Sequence, residues 1–161
     1  MTLHELNALP AADAERALLS CCGSLRWARD VATRRPFGSI EELHRAADQA
    51  WWSLDRADWL EAFSKHPRIG ERATGWSNEE QAAAASAADT VKATLARRNH
   101  DYEQRFGHVF LVCATGRTAE SMLDDLERRM GNDPETELRV AAGEQAKITR
   151  LRLDKLVTSP A

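Results

Sequence analysis

Branched β-formers are scarce in this chain. Val and Ile together number 9 of 161 residues, against 44 for Ala and Leu. A sheet is built from side chains that pack well on a pleat, so this ratio favours helices and leaves little for strands. Long apolar runs are missing as well. The longest is Val109-Phe-Leu-Val-Cys-Ala114, far short of the ~20 residues a membrane-spanning helix needs. The opening Met1-Thr-Leu-His-Glu-Leu6 has no basic segment followed by an apolar stretch, so no secretory signal is expected. Cysteine is limited to Cys21, Cys22 and Cys113. An odd count with an adjacent pair is a poor disulfide framework and reads as three reduced thiols in a reducing compartment. The 5 histidines are scattered, with no HExxH and no paired Cys-x-x-Cys, so no metal site is expected. Charge of one sign is lacking too: the net charge is −3, with 22 basic and 25 acidic residues interleaved. That pattern argues against a nucleic-acid surface and against a polybasic membrane surface.

What is present points to one helical domain over residues 1–161. Thr2 with Glu5, Ser39 with Glu42 and Ser77 with Glu80 each fit a capping box, in which a hydroxyl and a carboxylate satisfy orphan backbone donors reciprocally. Pro10 and Pro134 suit first helical positions, Asp133 an N-cap, and Thr118 a further cap. Helices are predicted near 2–8, 10–21, 24–33, 39–52, 55–63, 77–99, 101–106, 118–131 and 134–156. The expected fold class is therefore all-α, a single compact bundle of about eight or nine helices with irregular loops around the active site. Three stretches break the pattern. Residues 34–38 form a turn. Residues 65–76 carry too much Pro and Gly for a helix, and His66 precedes a proline, which disfavours the helical region. Residues 107–116 have the length of a strand but no partner strand, and read as a buried extended connector.

Four features could carry chemistry, and each has a plain structural alternative. His66, in an irregular loop with a side chain that titrates near neutrality, is either a surface histidine or a general acid–base group. Glu80 is either one half of a cap or a functional carboxylate. With Glu80 as origin, Ala84, Ala87, Val91 and Leu95 all fall within about 60° on a helical wheel, so Glu80 projects from the apolar stripe. On the last helix, with Ile148 as origin, Leu151 falls at about −60°, Arg152 at about 40°, Gln145 at about 60°, Leu156 at about 80° and Arg150 at about 200°. Arg152 thus lies inside the apolar arc, either in an internal ion pair or as a clamp on a ligand carboxylate. The backbone of Val112-Cys-Ala-Thr-Gly116 is either a turn or a set of polar contacts for a ligand beside a helix start. Cys113 is a weak nucleophile candidate, because an apolar setting raises a thiol pKa. The excess of Arg (18) over Lys (4) suits an anionic ligand or a bias of genome composition.

Four fragments in order are similar to one family. His66-Pro-Arg-Ile-Gly-Glu71, Ser77-x-x-Glu80-Gln81, Phe106-Gly-His-Val-Phe-Leu-Val-Cys-Ala114 and Glu144-x-x-Lys147-Ile148-x-x-Leu151-Arg152-Leu153 resemble the OHCU decarboxylase family, over almost the whole chain. That family acts on 2-oxo-4-hydroxy-4-carboxy-5-ureidoimidazoline in the oxidation of urate to allantoin. The resemblance implies His66 as the catalytic acid–base residue, with Pro67 and Glu80 at the substrate; as a carboxylate near His66, Glu80 would also orient and polarise it as a second catalytic residue. It implies Ser77, Gln81 and Arg152 as substrate ligands, and backbone contacts from Val112, Cys113, Ala114, Thr115 and Gly116. It further implies an all-helical, cofactor-free, commonly homodimeric enzyme. The Arg-Ile-Gly-Glu wording after His66-Pro67, and an ending without Ser-Lys-Leu, look like those of a bacterial cytoplasmic member. A helical binding module that has lost activity, or a decarboxylase of a related ureido-imidazoline acid, are the alternative readings.

Overall fold

Helix starts fall where the capping signals stand. In the computed structural model, which describes residues 1–68 and 89–158, the first helix α1 (Leu3–Ala8) opens on a complete capping box. The Glu5 N–H donates to Thr2 Oγ1 (3.1 Å) and the Thr2 N–H donates to the Glu5 carboxylate (3.3 Å). Helix α2 (Ala11–Leu19) begins one residue later than expected: Pro10 is extended, at φ −55° and ψ 151°, and precedes the first turn as its cap instead of opening it. Helix α3 (Leu25–Thr33) is capped by Ser24. Helix α4 (Ile40–Trp52) is capped by Ser39, which accepts from the Glu42 N–H (3.2 Å). The reciprocal half of that box is redirected, because Glu42 accepts from the Gly38 N–H (2.6 Å). Helix α5 (Arg56–Phe63) follows.

The next described element, α6, is one helix from Asp89 to Phe106. The predicted break at residue 100 is absent. Asp101 does not cap a new helix; its carboxylate takes a hydrogen bond from Arg98 (2.8 Å), one turn earlier, and the helix runs through. The start predicted at residue 77 lies outside the described residues. Helix α7 (Ala119–Arg129) is capped by Thr118, which accepts from the Ser121 N–H (3.0 Å). Helix α8 (Pro134–Leu156) has Pro134 as its first residue, with Asp133 accepting from the Thr136 N–H (2.8 Å). Residues 107–116 form no strand, as expected, and among the described residues the fold is all-α. No described helix is long and apolar enough to cross a membrane.

The chain divides into two units. One comprises Met1–Ala62 with the chain from Ala146 onward. Its core holds Leu6, Leu18, Trp27, Val31, Leu43, Ala50, Trp51 and Leu153. The indole N–H groups of Trp27 and Trp59 donate to the carbonyls of Ala47 and Trp51, each at 3.0 Å, so burial of these rings leaves no orphan donor. The other unit, Phe63–Gln145, packs Leu95, Tyr102, Phe106, Phe110, Val112, Ala119, Met122 and Leu126 into its own core.

Candidate active site

In the Phe63–Gln145 unit the loop after α5 presents His66. Phe63 is fully buried and lies against the His108 ring, with centroids 5.3 Å apart. The His66 N–H closes a turn on the Phe63 carbonyl (3.1 Å). Pro67 follows and is incompatible with further helix, so the chain leaves α5 on a short stem anchored by a buried ring. The half-buried imidazole places Nε2 2.6 Å from Oε1 of Gln145, which is fully buried on α8. Two residues on, Arg68 grips the Glu103 carboxylate of α6 with Nε (2.8 Å) and Nη2 (3.1 Å). This two-pronged pair ties down the loop on the far side of His66.

The connector 107–116 begins and ends on glycines in the left-handed region, Gly107 at φ 81° and Gly116 at φ 77°. Between them Phe110, Leu111, Val112 and Ala114 are buried, while Cys113 is half-buried. Two side chains hold its backbone. The Cys113 N–H donates to the Glu144 carboxylate (3.0 Å), and Arg129 Nη1 donates to the Leu111 carbonyl (2.8 Å). Arg129 is itself paired with Glu137 through Nε (2.9 Å) and Nη2 (2.6 Å), and Glu137 also accepts from the hydroxyl of Tyr102 and from Asn132 (3.1 Å). Burial, then the bond to Glu137, pushes the Tyr102 phenol far above its ordinary value, so Tyr102 stays a donor. Neighbouring residues on one helix thus do two jobs: Glu144 fixes the connector and Gln145 meets the imidazole.

Arg152 belongs to the other unit, on the C-terminal half of α8. It is buried at 8% exposure, whereas Arg150 is exposed, as the wheel predicts. The wheel errs at Leu151, which is 37% exposed, while Leu153 is buried at 1%. The buried arc is rotated toward Leu153, which places Arg152 nearer its middle than expected. The Arg152 guanidinium acts electrostatically on Cys21 and Cys22. Burial still dominates and holds both thiols up at about 12, so neither is a nucleophile at neutral pH.

His66 therefore stands with Gln145, with Pro67 next to it in the chain, and the backbone on either side of Val112 is held by Arg129 at Leu111 and by Glu144 at Cys113. Thr115 and Gly116 occupy an exposed turn that leads to the Thr118 cap. Ser77, Glu80 and Gln81 lie outside the described residues. The groups missed from sequence are Glu144, Gln145 and Arg129. Gln145 carried a signal, a polar side chain inside the apolar arc at about 60° from Ile148. Among the described residues, no cluster of three or more His, Cys, Asp or Glu side chains could hold a metal ion.

The family model of OHCU decarboxylase matches residues 7–154. The Arabidopsis thaliana uric acid degradation bifunctional protein TTL is 39% identical over 150 residues, which cover 88% of this chain and 46% of that protein. The chain thus spans about half the length of that bifunctional relative. The 2-oxo-4-hydroxy-4-carboxy-5-ureidoimidazoline decarboxylase of Haloferax volcanii is 30% identical over 164 residues, covering 99% of this chain and 98% of that one. A crystal structure of OHCU decarboxylase in the presence of (S)-allantoin superposes with a TM-score of 0.80 at 39% identity, covering 88% of this chain and 96% of that chain.

Proposed function

Since the chain belongs to the OHCU decarboxylase family, we propose that it decarboxylates 2-oxo-4-hydroxy-4-carboxy-5-ureidoimidazoline to (S)-allantoin in urate degradation. The observation that carries this reading is a half-buried imidazole, His66, set 2.6 Å from a buried amide in a chain that matches the family over residues 7–154.

The substrate contains its own electron sink, so the reaction needs no metal or organic cofactor. The carboxylate sits on a carbon that bears a hydroxyl and adjoins a ring C=N bond. When the bond to CO₂ breaks, its electron pair forms a C=C bond, and the C=N pair moves to nitrogen, which takes a proton. The product of that step is an enol. It collapses when the hydroxyl loses its proton and the ureido-bearing carbon gains one, on a single face. His66 serves these transfers: it accepts the hydroxyl proton, delivers a proton to carbon, or does both in turn. Glu80 orients and polarises His66. Arg152 grips the anionic or ureido groups through its planar fork, aided by Ser77, Gln81, Pro67 and the 112–116 backbone. The Cys113 N–H is already engaged by Glu144 (3.0 Å) and the Ala114 carbonyl accepts from the Arg117 N–H (3.0 Å), so any substrate contact falls to the remaining polar groups of the connector. Arg152 is buried on the face where the helical wheel placed it, which supports this role.

We also read residues 1–161 as one functional domain, because the family match runs through both units. Three free thiols support a reducing, cytoplasmic setting. The resemblance supports a homodimer, which light scattering on a sizing column checks. The decisive experiment adds freshly made substrate to the protein and follows circular dichroism at an allantoin band. A signal of one sign that grows faster than in buffer is expected. A rate and optical purity equal to those in buffer would defeat the reading.

A further inference from the structure

His66 is the group that moves protons in the reading above, and an imidazole can do this in a defined direction only if its two nitrogens are told apart. The described contact that tells them apart is with Gln145. Gln145 is fully buried, 79 residues from His66 in sequence, and its Oε1 faces His66 Nε2 at 2.6 Å. A carboxamide oxygen only accepts, so the nitrogen opposite it must donate. We propose that Gln145 is a positioning residue which holds His66 as the Nε2–H tautomer, with the neutral ring's lone pair on Nδ1. This deepens the catalytic reading and rests on it.

Neighbouring contacts hold the chain on both sides of this pair. Gln145 sits on α8 directly after Glu144, whose carboxylate is held by the Cys113 N–H (3.0 Å). On the histidine side the stem is anchored by the buried Phe63, and the chain beyond by the Arg68–Glu103 pair. Both partners are thus fixed by neighbours before they meet. A neutral amide selects a tautomer by hydrogen bonding alone, a task separate from the charge that Glu80 is proposed to supply. Nδ1 is then the nitrogen that takes a proton when His66 acts as a base, and the imidazolium so formed is the species that Glu80 would stabilise.

The test needs no substrate for its first arm. Long-range proton–nitrogen correlation spectra of the ¹⁵N-histidine-labelled chain, above the pH at which His66 is neutral, assign the protonated nitrogen directly. Wild type is expected to show Nε2–H. Gln145→Leu, which removes the acceptor, is expected to show a mixture of tautomers, and Gln145→Glu, which restores an acceptor oxygen, to recover Nε2–H. In turnover, Gln145→Leu is expected to lose roughly tenfold or more in kcat with KM within about threefold, because a mispositioned proton carrier slows the chemistry and not the binding. A wild-type ring protonated on Nδ1 overturns the assignment even if the variants fail to fold. So does a folded Gln145→Leu with an unchanged tautomer and kcat. Full turnover in His66→Asn would instead defeat the catalytic reading, so the two failures are separable.

Discussion

Replacing Arg129 by Met should be among the most damaging single changes in the Phe63–Gln145 unit, though Arg129 is assigned no part in the chemistry. Its side chain is 6% exposed and its partner Glu137 is fully buried. The guanidinium makes two bonds to Glu137, one to the Leu111 carbonyl, and stands 4.6 Å over the Phe110 ring. Methionine fills much of the volume but leaves a carboxylate in the core with Tyr102 and Asn132 as its remaining donors among the described residues. Breaking one side of a buried pair costs about 3–5 kcal/mol. The two remaining donors place the expected value near the lower end, and the orphaned Leu111 carbonyl adds about 1 kcal/mol. About 4 kcal/mol corresponds to a drop in Tm of about 8–16 °C for a chain of this size. The assay is urea unfolding followed by far-ultraviolet circular dichroism, with Glu137→Leu and the double variant alongside. Removing both charges abolishes the uncompensated ion, so the double variant should be no less stable than Arg129→Met alone, with a strongly non-additive cycle. A cost under about 1 kcal/mol for Arg129→Met, or costs that add to within about 0.5 kcal/mol, would refute the reasoning.

His66→Asn should lose about a hundredfold or more in kcat while Tm changes by no more than a few degrees, because a half-buried loop side chain contributes little packing; turnover and thermal melts check both. Arg152→Lys should lower kcat/KM about ten- to hundredfold and Arg150→Lys should not, since the buried guanidinium is the one proposed to clamp substrate and the other is exposed; a loss in Tm with kinetics spared would make Arg152 an ion-pair partner. Glu80→Gln should damage turnover more than folding, because glutamine can still complete a capping box at a cost of no more than ~1 kcal/mol; undiminished turnover would leave Glu80 a cap. Cys21 and Cys22, both raised by burial to about 12 from an ordinary 9.0, hold their protons more tightly folded than unfolded. Their contribution to stability is therefore complete below pH 9 and is lost as pH climbs toward 12, and urea midpoints should fall across that window. At pH 8 an alkylating reagent should label the half-buried Cys113 first.

Local chemistry was legible in the sequence, and long-range pairing was not. Thr2, Ser39, Thr118 and Asp133 cap helices as their side chains require, because a cap is settled within four residues. The scarcity of Val and Ile and the lack of a partner for 109–114 foretold a chain without strands among the described residues. Helical phase alone found the burial of Arg152. The same phase failed at Leu151, because a wheel gives relative angles while the neighbours decide where the buried arc is centred. The helix break expected at residue 100 shows a similar limit: Arg98 and Asp101 pair across that point and the helix runs through. No periodicity could reveal that His66 meets Gln145 across 79 residues, or that Arg129 braces the Leu111 carbonyl. Those contacts exist only once the helices have packed.

The two glycines that bound the connector have open space where a side chain would project: a Cβ on Gly107 or Gly116 would meet nothing within 4 Å. Size is thus no reason to exclude a larger residue there; handedness is. At φ 81° and 77° an L-residue is strained, whereas its mirror image is at ease. D-alanine introduced at either position by chemical ligation would fit the native backbone and narrow the unfolded ensemble, so it should strengthen the fold, while L-alanine in the same empty space weakens it. The ends of the segment that carries Val112 and Cys113 are in this sense fastened by chirality and not by contact.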